Sequence, residues 1–227
     1  MRSTADRADL TESLGRLAAT MAHDFNNVLM CVLQASEMLG RFYPDDPRLT
    51  RMADQLFDAV TLGRRITSDV LRFSHPPQPV VRRFDVVKWL ACRVPEIESV
   101  VAGRGARLHF EVPQAEVAAS GDPELLREAI IQLVTNACEA MPIGGDLTIA
   151  LAACDEHVQL RISDTGTGMP PKTLEHIFEP LFTTKRNGKG LGLPFVLQSV
   201  VASGGTIDVE SHPGAGTTFT IVLTRCA

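Results

Sequence analysis

"DPELLREAIIQLVTNACEAM", residues 122–141, is the stretch that decides the fold of this 227-residue chain. Asp122 is a favourable helix N-cap and Pro123 suits the first helical turn, so the stretch predicts one long helix. Glu128, Gln132 and Asn136 follow one another at intervals of four, which places their side chains on one face of that helix. Such a face can hold a shared ligand, although it could equally be the solvated side of an amphipathic helix.

Five shorter segments on either side of this helix have the pattern of β-strands. They are "RLHFEV" (107–112), "DLTIALAA" (146–153), "HVQLRISD" (157–164), "GTIDVES" (205–211) and "GTTFTIVL" (216–223). Asp85 is the expected N-cap of a further helix over residues 86–93. Together these elements predict an α/β sandwich, in which helices cover one sheet, over residues 85–227.

Residues 8–74 have a different pattern, that of two long helices. Apolar residues recur every three or four positions, from Leu10 to Phe42 and again from Leu49 to Phe73. This heptad-like seam is typical of helices that pack side by side. The prolines of "YPDDP" (43–47) stop the first helix and start the second, which predicts an antiparallel hairpin.

The chain is therefore expected to be an α+β multidomain protein. We expect the helical hairpin at residues 1–76, a linker at 77–84 within the proline-rich "SHPPQPVVRRFD", and the sandwich at 85–227. Because two helices alone bury little apolar surface, the hairpin is expected to pair with a second copy. The result would be a homodimer built on a four-helix bundle.

Composition excludes several classes of function. The net charge of −5 and the aromatic content of 5% argue against nucleic-acid binding. The five cysteines include no Cys-x-x-Cys pair, so zinc and redox sites are disfavoured and reduced thiols are expected. With no apolar run near the roughly 20 residues of a membrane span, we expect no direct membrane contact. A cytoplasmic location follows, which the cytosolic part of a longer sensor protein would share.

Three glycine-rich loops lie between residues 164 and 219. They are "DTGTGMP" (164–170), "NGKGLGL" (187–193) and "PGAGTTF" (213–219). Glycine permits positive φ and close backbone approach, so such loops can wrap a phosphate-bearing ligand. The second loop also runs into a helix, whose N-terminus favours an anion. Ordinary turns would explain any one loop, but all three after an asparagine-bearing helix indicate a nucleotide site that is neither Walker A nor Rossmann.

These segments resemble the Bergerat-type ATP site of the sensor histidine kinases of two-component systems. "LVTNACEAM" is similar to the N box, "DTGTGM" to the G1 box, "FEPLF" to the F box, "GKGLGL" to the G2 box and "GAGTTF" to the last glycine-rich segment. "MAHDFNN", residues 21–27, resembles the H box that carries the phospho-accepting histidine. The resemblance covers nearly the whole chain from residue 10 onward.

The resemblance implies ATP and Mg²⁺ as cofactors. Asn136 would bind the metal through its side-chain oxygen, and Gln132, where the family often has a second asparagine, is the other candidate ligand. Glu128 would help to position the reactants. Asp164 corresponds to the residue that accepts the adenine amino group. Further nucleotide contacts are expected from Gly166, Gly168, Lys185, Gly188, Gly190, Leu191, Gly192 and Thr217.

The stretch "FEPLFTTKRNGKG", residues 178–190, is interpreted as a mobile lid over the nucleotide. Phe178 and Phe182 are expected to anchor this lid segment, and Lys185 would meet phosphate. The histidines outside the H box are interpreted as structural, without partner clusters. They are His75, His109, His157, His176 and His212.

In the H-box helix each residue advances by about 100°, so His23 points away from the apolar seam of Met21 and Phe25. Asn27 lies on the same outer face as His23. Asp24 could accept one ring N–H and leave the other nitrogen free to attack a γ-phosphate. Judged without the ATP-binding half, His23 would be an ordinary surface histidine.

The expected activity is that of a protein-histidine kinase. It comprises ATP-dependent autophosphorylation of His23 and transfer to an aspartate of a response regulator that docks on the hairpin. Asn27 also suggests phosphatase activity, by orienting a water on the phosphoaspartate. Two alternatives stay open: a Bergerat-fold ATPase without histidine phosphorylation, and a phosphotransfer scaffold with a degenerate ATP domain.

Overall fold

The computed structural model describes residues 25–43, 46–74, 78–185 and 188–226. Its contacts divide the chain into two units, with the boundary between Pro77 and Gln78. The first unit contains helix α1 (residues 25–42) and helix α2 (Pro47–Ser74). The Asp46 carboxylate begins α2 by accepting the backbone N–H of Arg48 at 2.8 Å, as expected for the end of "YPDDP". No helix among these residues is long and apolar enough to cross a membrane.

Small side chains form the contact between α1 and α2. The buried Ser36 hydroxyl donates a hydrogen bond to the carbonyl oxygen of Ala53 at 2.7 Å. A Cβ at Gly63 would lie 2.8 Å from the Leu29 side chain. Val60 on α2 is buried as well. The two helix backbones therefore approach closely along a strip of small residues.

Much of the expected apolar seam lies outside that contact. On α1, Phe25, Val28 and Phe42 are exposed, and on α2 Met52 and Ala59 are exposed. Close approach of the two backbones selects small residues at Ser36, Ala53 and Gly63, while the seam residues Val32, Leu39 and Leu56 are partly buried. The heptad pattern thus identified the helices and part of the contact between them.

The second unit is the expected α/β sandwich. Its main sheet has the strand order β2-β4-β5-β7-β6, with β2 parallel to β4 and the other pairs antiparallel. The strands of this sheet are β2 (Ala106–Glu111), β4 (Gly145–Ala153), β5 (His157–Asp164), β6 (Thr206–His212) and β7 (Gly216–Thr224). A separate antiparallel pair joins β1 (Arg82–Asp85) to β3 (Ala118–Gly121).

Helices cover one face of the main sheet. The helices of this unit are α3 (Val86–Ala91), α4 (Val94–Val101), α5 (Pro123–Ala140), α6 (Pro171–Leu174) and α7 (Gly192–Ala202). Of these, α4, α5 and α7 contact strands of the sheet. Along β5, Val158, Leu160 and Ile162 are buried while His157 and Arg161 are exposed, so the alternation directs every second side chain into the core.

Helix α5 is the centre of that core. Asp122 caps it by accepting the backbone N–H of Glu124 at 2.9 Å and of Leu125 at 3.2 Å. Its inward face is completely buried. The buried residues include Leu126, Ala129, Ile130, Leu133, Val134 and Ala137. The helix predicted from "DPELLREAIIQLVTNACEAM" is therefore present over nearly its full length.

The start of the second unit differs from the expected linker. Residues from Gln78 onward belong to this unit, and Arg82–Asp85 form strand β1. The backbone N–H of Val80 donates to the Asp122 carboxylate at 2.6 Å. The sequence of β1 does not alternate between apolar and polar residues, and its pairing partners in β3 lie about 40 residues downstream. Local sequence patterns therefore did not reveal this strand. Strand β3 was missed for the same reason, and helix α4 was not predicted either.

The Asp122 cap predicts a stability effect. Asp122→Ala removes the acceptor for three backbone N–H groups, so it should lower the free energy of unfolding by about 1–2 kcal/mol. Urea unfolding can be followed by the fluorescence of Trp89, which is buried and donates its indole N–H to the Pro123 carbonyl oxygen. Asp122→Asn, which keeps an acceptor, should lose less; equal losses in the two variants would contradict the capping role.

Candidate functional site

The polar face of α5 forms one wall of the site. Gln132 donates from Nε2 to the Oδ1 atom of Asn136 at 3.4 Å. The same amide faces the N-terminus of α7, because a Cβ at Gly192 would lie 2.7 Å from Gln132 Nε2. Gln132 and Asn136 are both partly buried. The two N-box amides thus stand side by side, next to the helix that follows the second glycine loop.

Glu128, one turn earlier on α5, belongs to a network of ion pairs. Its carboxylate lies 3.6 Å from the Arg127 guanidinium, which also binds Glu96 at 2.7 Å and Glu124 at 3.0 Å. The Glu96 and Arg127 pair connects α4 to α5. Glu128 is therefore held on the polar face, but a structural ion pair already engages it.

Asp164 ends β5 with its carboxylate buried. Oδ1 accepts the backbone N–H of Gly166 at 2.8 Å. Burial raises the pKa of the Asp164 carboxyl, and hydrogen bonds from the backbones of Gly166 and Thr217 only partly offset this effect. A desolvated carboxylate at the end of a strand is a strong acceptor for a buried N–H donor. This matches the chemistry expected for recognition of an exocyclic amino group.

Two glycines let three backbone segments meet beside Asp164. Gly168 has φ +62°, and a Cβ there would overlap the carbonyl of His212. Gly216 has φ +87°, and a Cβ there would overlap the carbonyl oxygen of Asp164 itself. Gly166 is also restricted, because its Cβ would lie 2.6 Å from the Ala140 carbonyl oxygen at the end of α5. The first and third glycine loops are therefore packed against each other and against α5.

A buried hydroxyl pair fixes the same three segments. Ser211 accepts the backbone N–H of Met169 at 2.8 Å and donates to the Gly216 carbonyl oxygen at 3.0 Å. Its hydroxyl lies 2.9 Å from that of Thr217, and Thr217 pairs with Asp164 across β5 and β7. Ser211 was not among the residues selected from the sequence, since nothing in a strand sequence distinguishes an inward serine that bridges two loops.

The second glycine loop contacts the F-box residues. The backbone N–H of Leu181 donates to the Gly190 carbonyl oxygen at 2.8 Å. Gly190 has φ +65°, and a Cβ there would lie 2.6 Å from the Phe182 nitrogen. Leu181 has a positive φ of 69° although it is not glycine, and such a conformation is uncommon outside functional loops. Leu191 is buried at the N-cap of α7.

The described part of the lid segment reaches the N box through Lys185. Its Nζ donates to Asn136 Oδ1 at 3.3 Å and pairs with the Glu139 carboxylate. Gly188 donates its backbone N–H to the Lys185 carbonyl oxygen at 3.0 Å. Glu139 was missed from the sequence. It lies three residues after Asn136, so the helical period places it close to the same polar face.

Two of the remaining histidines have carboxylate partners. His109 lies 2.9 Å from the Asp146 carboxylate, which also binds Arg107 at 2.8 Å. His176 lies 2.9 Å from Glu179, and this carboxylate raises the pKa of the imidazole. These pairs are exposed and lie on the surface of the sandwich. His176 has a single carboxylate partner, whereas His109 shares Asp146 with Arg107; both contacts are compatible with the structural role expected for these histidines.

The H box is only partly described. His23 and Asp24 lie outside the described residues, whereas Asn27 is exposed on α1. The ATP-binding residues predicted from the sequence converge in the second unit: Asn136 and Gln132 meet Gly192 and Lys185, and Asp164 meets the first and third glycine loops.

Comparison with known proteins agrees with this geometry. Residues 121–226 match the family of histidine kinase-, DNA gyrase B- and HSP90-like ATPases. Sensor histidine kinase ZraS of Klebsiella oxytoca is 30% identical over 224 residues, which is 98% of this chain and 48% of that protein. Residues 121–226 therefore carry the ATPase domain of that family, and nearly the whole chain is similar to a sensor histidine kinase. The chain spans about half the length of that curated relative.

Two solved structures share the fold. Full-length ShkA in complex with AMPPNP superposes with a TM-score of 0.78 at 23% identity, over 93% of this chain and 46% of that one. Histidine kinase ThkA in complex with the response regulator TrrA superposes with a TM-score of 0.69 at 21% identity, over 98% of this chain and 64% of that one. The fold of this chain is therefore the one seen in these two structures.

The close approach at Gly216 predicts a difference between neighbouring glycines. Gly214→Ala and Gly216→Ala both place alanine at positive φ, of +77° and +87°, but only Gly214 has open space around its Cβ. The first change should cost about 1–2 kcal/mol of unfolding free energy. The second should cost about 2 kcal/mol more, because β7 must separate from Asp164. Urea unfolding measures both, and equal losses would contradict the steric account.

Asp164 predicts a pH-dependent gain of stability. Because its pKa is higher in the folded state than the ordinary 3.8, the ionised carboxylate destabilises the fold above that folded-state pKa. Asp164→Asn should therefore be more stable than wild type at pH 7. The advantage should shrink as the pH falls through the folded-state pKa toward 3.8. Urea unfolding at a series of pH values tests this; a wild type more stable than the variant at pH 7 would contradict it.

Proposed function

We propose that this chain is the catalytic core of a histidine kinase that binds ATP with Mg²⁺ and phosphorylates His23. The observation that carries the proposal is that α5, which bears Asn136, contacts both the loop after Asp164 and the helix that follows the second glycine loop. Thr167 donates its backbone N–H to the Ala140 carbonyl oxygen at 3.0 Å, so the adenine-side loop and the metal-side helix are directly joined. A nucleotide spanning these groups would meet each expected contact.

The polar face of α5 suits Mg²⁺. Asn136 Oδ1 is an oxygen ligand of the kind that Mg²⁺ prefers, and phosphate oxygens and water would complete its octahedral shell. Gln132 presents its nitrogen to Asn136, so its amide must rotate before Oε1 can serve as a ligand. When bound, the metal neutralises charge that develops on the transferred phosphoryl group. Asn136 is therefore the primary ligand that we assign.

The remaining assignments follow from position. Asp164 accepts the adenine amino group in its desolvated pocket. Gly166, Gly168, Gly188, Gly190 and Gly192 allow the backbone to approach the nucleotide, and Thr217 supports Asp164 from the adjacent strand. Leu191 anchors the second loop, and Lys185 meets phosphate. Glu128 positions the polar face rather than reacting.

His23 acts as the nucleophile. A ring nitrogen forms the bond to the γ-phosphorus while the bond from phosphorus to the β,γ-bridging oxygen breaks, and ADP leaves. Asp24 accepts the N–H of the other ring nitrogen, so it fixes the tautomer that attacks. Orientation of the reactants supplies most of the rate enhancement, as in other phosphoryl transfers.

We propose that the hairpin binds two partners. Its exposed apolar residues Phe25, Val28, Met38 and Phe42 follow helical spacing on α1, and such a stripe is suited to a second hairpin in a four-helix bundle. A response regulator is the second partner that we propose, by analogy with ThkA, whose structure contains its response regulator TrrA. Asn27 would orient water during dephosphorylation of that partner. We place all of these steps in the cytoplasm.

The relatives favour this activity over the other ATPases of the same domain family. The similarity to ZraS extends over 98% of this chain and so includes the hairpin. An ATPase that does not use His23 would have no need of the hairpin. A scaffold with a degenerate ATP domain would have no need of complete glycine loops.

Labelling with γ-³²P-ATP tests the proposal. Wild type should acquire label that is stable in alkali and labile in acid, and His23→Gln should abolish it because the accepting nitrogen is gone. His157→Gln, which changes an exposed histidine of the sandwich, should keep the label. Phosphate release without labelling of the protein, unchanged in His23→Gln, would show an ATPase instead; absence of both labelling and ATP binding would favour the scaffold.

A further inference from the structure

The contact between the lid segment and the N box occupies the oxygen expected to bind the metal. Lys185 Nζ lies 3.3 Å from Asn136 Oδ1 and pairs with Glu139. Gln132 Nε2 approaches the same oxygen at 3.4 Å. A carbonyl oxygen has two lone pairs, and two donors engage both of them. Asn136 cannot ligate a metal ion in this arrangement.

The Lys185 ammonium substitutes for a cation. It carries one positive charge and has an amide oxygen and a carboxylate as neighbours, which is the type of donor set that a hard cation prefers. Gln132 can rotate away without loss of charge, whereas Lys185 must leave an ion pair. The Glu139 carboxylate therefore controls how firmly the ammonium is held on Asn136.

We propose that Glu139 is a positioning residue that holds Lys185 on Asn136 as an internal substitute for Mg²⁺, so that metal-nucleotide binding must displace this lysine. The inference rests on the proposed function of the site. We call the contact of Lys185 with Asn136 and Glu139 the latch. Displacement frees Lys185 when the nucleotide phosphates bind, so the same side chain first occupies Asn136 and then contacts phosphate. The latch reduces the affinity for the metal-nucleotide complex because only the fraction of the protein in which Lys185 has left Asn136 can bind it.

The size of the effect follows from exposure. The Lys185 and Glu139 side chains are 47% and 42% exposed, so water screens their attraction. Ion pairs of this kind change equilibria by about two- to five-fold. Glu139→Gln should therefore shift the equilibrium by a similar factor toward the arrangement in which Lys185 has left Asn136. The substitution should not change the partly buried position of Asn136.

Calorimetric titration of ADP at a series of Mg²⁺ concentrations tests the competition. The Mg²⁺ concentration for half-maximal ADP binding should fall about two- to five-fold in Glu139→Gln. In a Lys185→Gln background the same change should have no further effect, because the latch is already gone. Glu111→Gln removes one carboxylate from the exposed end of β2 and should leave the Mg²⁺ dependence unchanged. An unchanged or higher Mg²⁺ requirement in Glu139→Gln would overturn the proposal.

A second measurement needs no nucleotide. Brief treatment of the free protein with acetic anhydride, analysed by mass spectrometry, compares modification of Lys185 with that of exposed Lys172. The Lys185 to Lys172 ratio should rise about two-fold or more in Glu139→Gln, since the ammonium loses its ion-pair partner; an equal ratio would overturn the latch. A wild type that fails to bind ADP at any Mg²⁺ concentration would instead refute the proposed function, with the latch still tested by acetylation.

Discussion

The contact between the Gly216 backbone and the Asp164 carbonyl is the constraint on which the rest of the site depends. It is possible only because residue 216 has no side chain and a positive φ. It brings the start of β7 against the end of β5, and Ser211 then ties both to Met169. Without this approach Asp164 would not be desolvated, and the first glycine loop would have no fixed path beside α5.

Helix α5 connects that local constraint to the rest of the proposed nucleotide site. Its inward face is part of the core of the sandwich, so the helix cannot shift without exposing apolar side chains. Its carboxyl end contacts the loop after Asp164 and its polar face carries Asn136 and Glu139. The distance between the Asp164 carboxylate, the proposed adenine acceptor, and Asn136 Oδ1, the proposed metal ligand, is thus set by core packing. This rigidity is what positioning-based phosphoryl transfer requires.

Sequence patterns revealed elements whose signals are local. Helix α5 has a cap and a full set of polar residues at intervals of four, and β5 alternates along its length, so both were predicted nearly to the residue. Strands β1 and β3 depend on partners far along the chain and were missed. The pairing of Lys185 with Glu139 joins residues 46 positions apart, and no local pattern predicts it. Inside the hairpin, the close approach of backbones selected Ser36, Ala53 and Gly63 over several of the bulkier residues that define the heptad.

The proposed binding of one nucleotide by α5 and the glycine loops together can be measured by titrating ¹⁵N-labelled protein with Mg²⁺ and AMPPNP while amide resonances are recorded. The amides of Gly166, Gly168, Gly190 and Gly216 should shift together with a single dissociation constant. Those of Gly103 and Gly204, which also have positive φ but open surroundings, should not shift. Shifts confined to one loop, or shared equally by Gly103 and Gly204, would contradict the proposed binding.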